Sequence, residues 1–319
     1  MGCVNLFKSA AGYDRRDKSG VSTLQQGKKL LGVCLCLFAA GLILSVPASI
    51  AYNTAAFSPT ALCYAYLAVA VITVAAVGLL CRRLTRSKPP KKPLFTQLNM
   101  LLLAAAVCVL TVIATFQYLP DFFEQLSLWG FAGMLPYMYL KALTAVVGWA
   151  VSVLSVCACF AKRNNPYRAA ISAVGAWAFL YMVSECSLLI SLPDVMLYQP
   201  RILGAAAVAL SVSYIRVSMY TRKIKDFARL RGWCALAGVF CATDLIFTLA
   251  YIGNPYHGSG LVAPAFSLLM GGFAIHYCVT LHTKYNRPDE PEAEQTAAPD
   301  ADSQTSDTAV GQPPQNDEV

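Results

Sequence analysis

Five ionisable side chains interrupt otherwise apolar stretches of this sequence: Lys141, Glu185, Arg216, Asp244 and His276. A charge deep in hydrocarbon costs a few kcal/mol or more, so each must face protein or water rather than lipid. If the stretches are helices rising ~1.5 Å per residue, Glu185 and Asp244 both lie about 11 Å inside the outer boundary, with Lys141 slightly shallower. Arg216 and His276 fall in the inner third. Together Lys141, Glu185 and Asp244 describe a polar cavity in the outer half. One acid pairs with Lys141 while the other keeps its proton, because two carboxylates in low dielectric do not both ionise cheaply. A carboxyl that exchanges a proton is what proton-coupled transport requires. The bland alternative is a structural polar clasp, with Lys141 snorkelling to the interface. Snorkelling to headgroups is the better reading for Arg216, and His276 reads as a hydrogen-bonded packing residue.

Other chemistries find no support. No GxSxG, HExxH, Walker loop or paired CxxC occurs, and the polar intervals are too short to house a catalytic domain. The chain therefore reads as a non-enzyme with no cofactor. It has twelve cysteines, but Cys34, Cys36, Cys108, Cys157, Cys159, Cys234, Cys241 and Cys278 all sit inside apolar stretches. The pairs Cys34/Cys36 and Cys157/Cys159 are not metal sites, because residues i and i+2 of a helix point to nearly opposite sides. Cysteine here reads as a small packing residue.

The elements that must position these groups follow from hydropathy. The chain is 57% hydrophobic and only 13% charged, with mean hydropathy +0.53, where a soluble domain is nearer half apolar and a quarter charged. Runs long enough to cross a ~30 Å hydrocarbon core lie near Leu30–Ala51, Thr60–Cys81, Leu98–Tyr118, Pro136–Ala161, Ala169–Leu192, Ile202–Tyr220, Gly232–Tyr251 and Val262–Leu281. The sixth is the weakest, being rich in Ala and Ser and interrupted by Arg216, so a count of seven stands beside eight. Of the 25 basic residues, 22 fall before the first run or after the second, fourth, sixth and eighth, with Arg201 in an opposite loop. Such asymmetry marks topology rather than nucleic-acid binding and places both termini inside. It also supports the sixth run, without which the later basic segments would change sides.

Small and polar residues at helical spacing mark the faces that approach other helices. The fourth run carries Lys141, Thr144, Gly148, Ser152 and Ser155 on one stripe, and the fifth carries Ala170, Val174, Ala178, Tyr181 and Glu185. The seventh has Ala237, Cys241, Asp244 and Thr248, and the eighth has Gly272, His276, Thr280 and Thr283. The fourth, fifth, seventh and eighth runs are thus expected to form the interior. Between the third and fourth runs, residues 119–135 mix acids with Phe122, Phe123, Trp129 and Phe131, a composition suited to an outer interfacial segment.

Residues 1–29 form a basic cytoplasmic leader, too long for the polar start of a signal peptide. Met1-Gly2-Cys3 lacks the Ser or Thr that a myristoylation motif wants at position six, where Leu6 stands. Residues 284–319 end the chain as an acidic, Pro-rich tail with almost nothing to bury, expected to be disordered. After Arg287 it holds nine acids and no base, so the rest of the chain carries about +17 against a total of +8. The expectation is an all-α polytopic helical bundle, residues 30–283, in a cell membrane. Its partners are the bilayer and a small solute or proton, and its leading function is that of a carrier. The competing function is a non-transporting complex subunit or scaffold, whose tail meets a cytosolic protein.

Overall fold

Apolar spans of this length have one way to satisfy their backbone in lipid, which is to bond it within each segment as helix. The structure, a computed structural model, describes residues 31–32, 34–39, 42–43, 60–84, 95–161, 164–191, 199–221, 224–250 and 260–286. The basic leader, most of the first apolar run and the tail after Asn286 lie outside the described residues. Among the described residues there is no strand, and seven helices are long and apolar enough to cross a membrane. They are α1 (Thr60–Leu84), α2 (Gln97–Gly133), α3 (Pro136–Cys159), α4 (Asn164–Ser191), α5 (Gln199–Thr221), α6 (Ile224–Ala250) and α7 (Val262–Asn286). The chain is a multi-pass membrane protein of all-α class. The run that is weakest in sequence, α5, is a full-length helix. Short stretches of the first run are helical as well.

Several hydroxyls inside the spans are satisfied by their own helices. Thr73, Thr144, Ser213 and Thr243 each donate to the carbonyl four residues earlier, at 2.7 to 2.9 Å. Such back-bonding keeps a polar atom satisfied without a partner in lipid.

Sequential neighbours pack on one another from α2 to α7, and α2 meets α7 again, closing a ring of six helices. Helix α1 attaches to α6 outside that ring and is the least buried of the spans. Side chains such as Phe116, Ile72 and Leu268 remain exposed on the outside, the surface a bilayer covers. Within the ring, a polar seam joins α2, α3 and α4. The Thr111 and Ser152 hydroxyls share a 3.0 Å hydrogen bond, and Trp177 donates its indole N–H to the Thr144 carbonyl at 3.0 Å. Gly148 makes this approach possible, because a Cβ there would stand 2.7 Å from the Thr111 hydroxyl.

Residues 119–133 continue α2: the helix passes Pro120 unbroken and leaves helical geometry at Gly130, where φ is +61°. From Gln97 to Trp129, at ~1.5 Å per residue, α2 is about 50 Å long, so its last turns must project past a ~30 Å core or bend along its surface. Two expectations are corrected. First, α6 begins at Ile224 rather than Gly232, which brings Asp226 and Arg231 into the helix, both buried. Second, α7 turns the other way from its expected stripe. Phe266, Met270, Phe273 and Tyr277 are buried, while Gly272 and His276 are exposed. Large aromatic side chains bury more apolar area than a glycine–histidine stripe, and in this helix that term wins.

Candidate functional site

Glu185 sits six residues before the end of α4 and Asp244 six before the end of α6. Because the helices alternate in direction, both reach the end of the bundle opposite the basic segments. The first turn of α5 starts at that same end, and its third residue is Arg201. There the structure assembles an ion triad. Arg201 Nη1 donates to Glu185 Oε2 at 3.3 Å and Arg201 Nε donates to Asp244 Oδ1 at 3.4 Å. Its remaining amino group, Nη2, donates to the Thr248 hydroxyl at 3.3 Å. The three charged side chains are 5%, 2% and 1% exposed.

The distances are longer than the ~2.7–2.9 Å of an optimal charge-assisted bond. One guanidinium is spread over three acceptors on two helices instead of gripping one carboxylate bidentately. Asp244 is held on both oxygens. Ser267 of α7 donates to Oδ2 at 2.6 Å, and Thr248 reaches Oδ1 at 3.5 Å. Four helices, α4 to α7, therefore meet at this cluster.

Close backbone approach makes the meeting possible. One turn below Arg201, Gly204 lies against Cys241 of α6, where an added Cβ would be 3.2 Å from its Sγ. Gly271 of α7 flanks Cys241 more tightly, since a Cβ there would stand 2.5 Å from the Cys241 Cβ. Cys241 thus serves as the small residue that lets α5, α6 and α7 converge one turn from Asp244. Two tyrosines border the site. Tyr181 precedes Glu185 by one turn on the same buried face of α4 and stacks on Phe266 with centroids 4.2 Å apart. Tyr66 of α1 is buried within electrostatic range of Asp244. The hydroxyls of both are buried and lack a hydrogen-bond partner among the described residues.

Of the residues expected here, Glu185 and Asp244 are brought together, but Lys141 is not their partner. Its ammonium lies over the rings of Tyr118 and Tyr137, 5.4 and 5.5 Å from the centroids. Helix α3 packs chiefly on α2 and α4, whereas Asp244 belongs to α6, whose main neighbours are α5 and α7. Arg216 is exposed and lies 6.0 Å from the Tyr220 ring centroid, toward the basic end. His276 is exposed too and far along α7 from Ser267.

Arg201, a loop residue by the sequence alone, lies instead in the first turn of α5. Two signals pointed to its role. Pro200 beside it suits the first turn of a helix, which moves the start of α5 ahead of Arg201. Arg201 is also a base on the side that the charge asymmetry leaves almost free of bases, next to a helix N-terminus whose dipole disfavours a cation. Both oddities disappear once two carboxylates surround it. No family model, curated protein or solved structure matches the chain.

Proposed function

We propose that this membrane protein is a carrier of a small solute, linked to proton movement, whose coupling element is the Arg201–Glu185–Asp244 triad. The observation that carries the reading is the charge balance: two carboxylates share one guanidinium at 5% exposure or less. A static clasp is best built from equal and opposite charges, since an excess charge in low dielectric is expensive. One proton, or one cationic group of a solute, brings the triad to neutrality. Its loss frees a carboxylate to compete for Arg201. The unpartnered hydroxyls of Tyr181 and Tyr66 supply further donors beside the same cluster. Exchange of Arg201 between α4 and α6 would change which helices are tied together, the kind of two-state contact alternating access needs. Orientation with the basic ends in the cytosol, in a cell membrane, belongs to this proposal, as does the absence of an enzymatic reaction.

The second reading is a non-transporting membrane subunit in which the triad only locks helices. It is favoured by the way the triad closes on itself, with Asp244 bonded on both oxygens. Purified protein in liposomes on a solid-supported membrane electrode separates the two. Jumps in pH, and in small cationic, zwitterionic and neutral solutes, should evoke charge-moving currents. Glu185→Gln and Asp244→Asn should each abolish them in vesicles that contain folded protein. Silence of the wild-type protein to every jump, with both variants merely less heat-stable, would establish the clasp instead.

A further inference from the structure

On the outer side of the ring, α1 and α6 leave a groove between them toward the basic end. Its cavity volume is about 420 Å³, and Val74, Gly78, Leu79, Trp233 and Leu236 form its apolar wall. Arg82 and Arg229 are its charged lining residues. From Val74 to Arg82 the groove follows two turns of α1, about 12 Å at ~1.5 Å per residue. Both arginines sit near the end of the helices that carries the basic segments, the level at which headgroup phosphates lie. Trp233 is of the amphipathic type that settles at that same level.

We propose that this groove holds one anionic phospholipid, with an acyl chain along the apolar wall and its phosphate between Arg82 and Arg229. Gly78 opens the groove, because a Cβ there would meet nothing within 4 Å. The two guanidiniums are available. Arg82 has no hydrogen bond or ion pair among the described residues, and Arg229 reaches Asp226 only at 3.9 Å while being 53% exposed. A phosphate offers several acceptors to such donors, and a headgroup of net negative charge suits a pair of arginines better than a zwitterionic one, whose own cation already offsets its phosphate. A helix of a second protein would have to bring acids to the same depth, at greater cost than a lipid whose charge already resides there. The described part of the first apolar run packs on the core through Cys34 and Leu37 without lining the groove. The site stands apart from the triad, so it does not depend on the carrier reading.

The test uses the full chain in detergent, with native mass spectrometry for bound lipid and tryptophan fluorescence for the melting temperature. The probes are phosphatidylserine, phosphatidylcholine with the same acyl chains, and inorganic phosphate. Phosphatidylserine should bind at least about fivefold tighter than phosphatidylcholine and raise the melting temperature, and phosphate alone should do neither. Gly78→Leu fills the groove from a position with free space and should remove retention of the lipid. Arg82→Gln with Arg229→Gln leaves the groove open and should reduce phosphatidylserine to the level of phosphatidylcholine. Arg216→Gln, at a basic-end position outside the groove, should keep the preference. Equal binding of the two lipids by the wild-type protein overturns the proposal. So does a full stabilising effect of phosphate alone, or an Arg216→Gln loss as large as that of the groove pair. If Gly78→Leu does not fold, the double arginine variant decides the matter alone.

Discussion

Arg201 and Lys141 are both cations near the end of the bundle opposite the basic segments, yet their energetic roles differ. Removing Arg201 leaves two carboxylates buried without a counter-charge. Arg201→Met is therefore expected to destabilise the protein by about 3–5 kcal/mol, the range for a broken buried pair. Adding Glu185→Gln and Asp244→Asn to that variant should recover part of the loss, because no charge is then left unpaired. Lys141→Met should cost no more than about 1 kcal/mol, the worth of a cation over an aromatic face, and should rescue neither acid variant. Thermal unfolding of these variants beside the wild type in one detergent reads all of this. A large loss for Lys141→Met, with Arg201→Met near wild type, would return Lys141 to the centre of the site. Glu185 and Asp244 were legible as candidates because an acid in an apolar run is conspicuous. Their partner was hidden because Arg201 lies at the edge of its run, where it looks like loop.

At the scale of elements, the convergence of α5, α6 and α7 depends on Cys241 lying between two glycines. Gly271→Ala places a Cβ against the Cys241 Cβ at 2.5 Å, a contact that no rotamer change relieves. It should cost about 1–3 kcal/mol, as overpacking does. Gly204→Ala meets the Cys241 Sγ at 3.2 Å and should cost less. A second substitution, Cys241→Ala, removes the sulfur and is expected to relieve Gly204→Ala but not Gly271→Ala. Melting temperatures of the singles and doubles test the pattern, and equal relief of both would show that Cys241 does not separate the helices. The inner stripes of α3, α4 and α6 were readable from the spacing of small residues, and Gly148, Ala178 and Ala237 are buried as expected. For α7 the same rule pointed outward, because its aromatic face competed with its small-residue face. Helix α2 continues past Pro120, because a proline within a helix removes only one donor.

At the scale of the whole molecule, six of the seven long helices among the described residues close into a ring and one lies outside it. Topology is tested by single cysteines in a background cleared of the native ones. Residues placed at Ser127 and Leu261, both exposed and toward the outer end, should react with an impermeant thiol reagent on intact cells. A cysteine at the exposed Asn165, beside the basic segment, should react only after permeabilisation, and the reverse pattern would invert the orientation. Membrane residence, helical class and the alternation of basic segments followed from the sequence alone. They are properties of consecutive residues: each span is judged by its own length and hydropathy, and each basic segment by its neighbours in the chain. Which charges meet is a different kind of fact. Arg201 stands 16 residues from Glu185 and 43 from Asp244, and nothing in those intervals says that α4, α5 and α6 present these faces to one another. Ring closure and the glycine contacts at Cys241 decide it, because a buried guanidinium is stable only where the packing of separate helices delivers its acids.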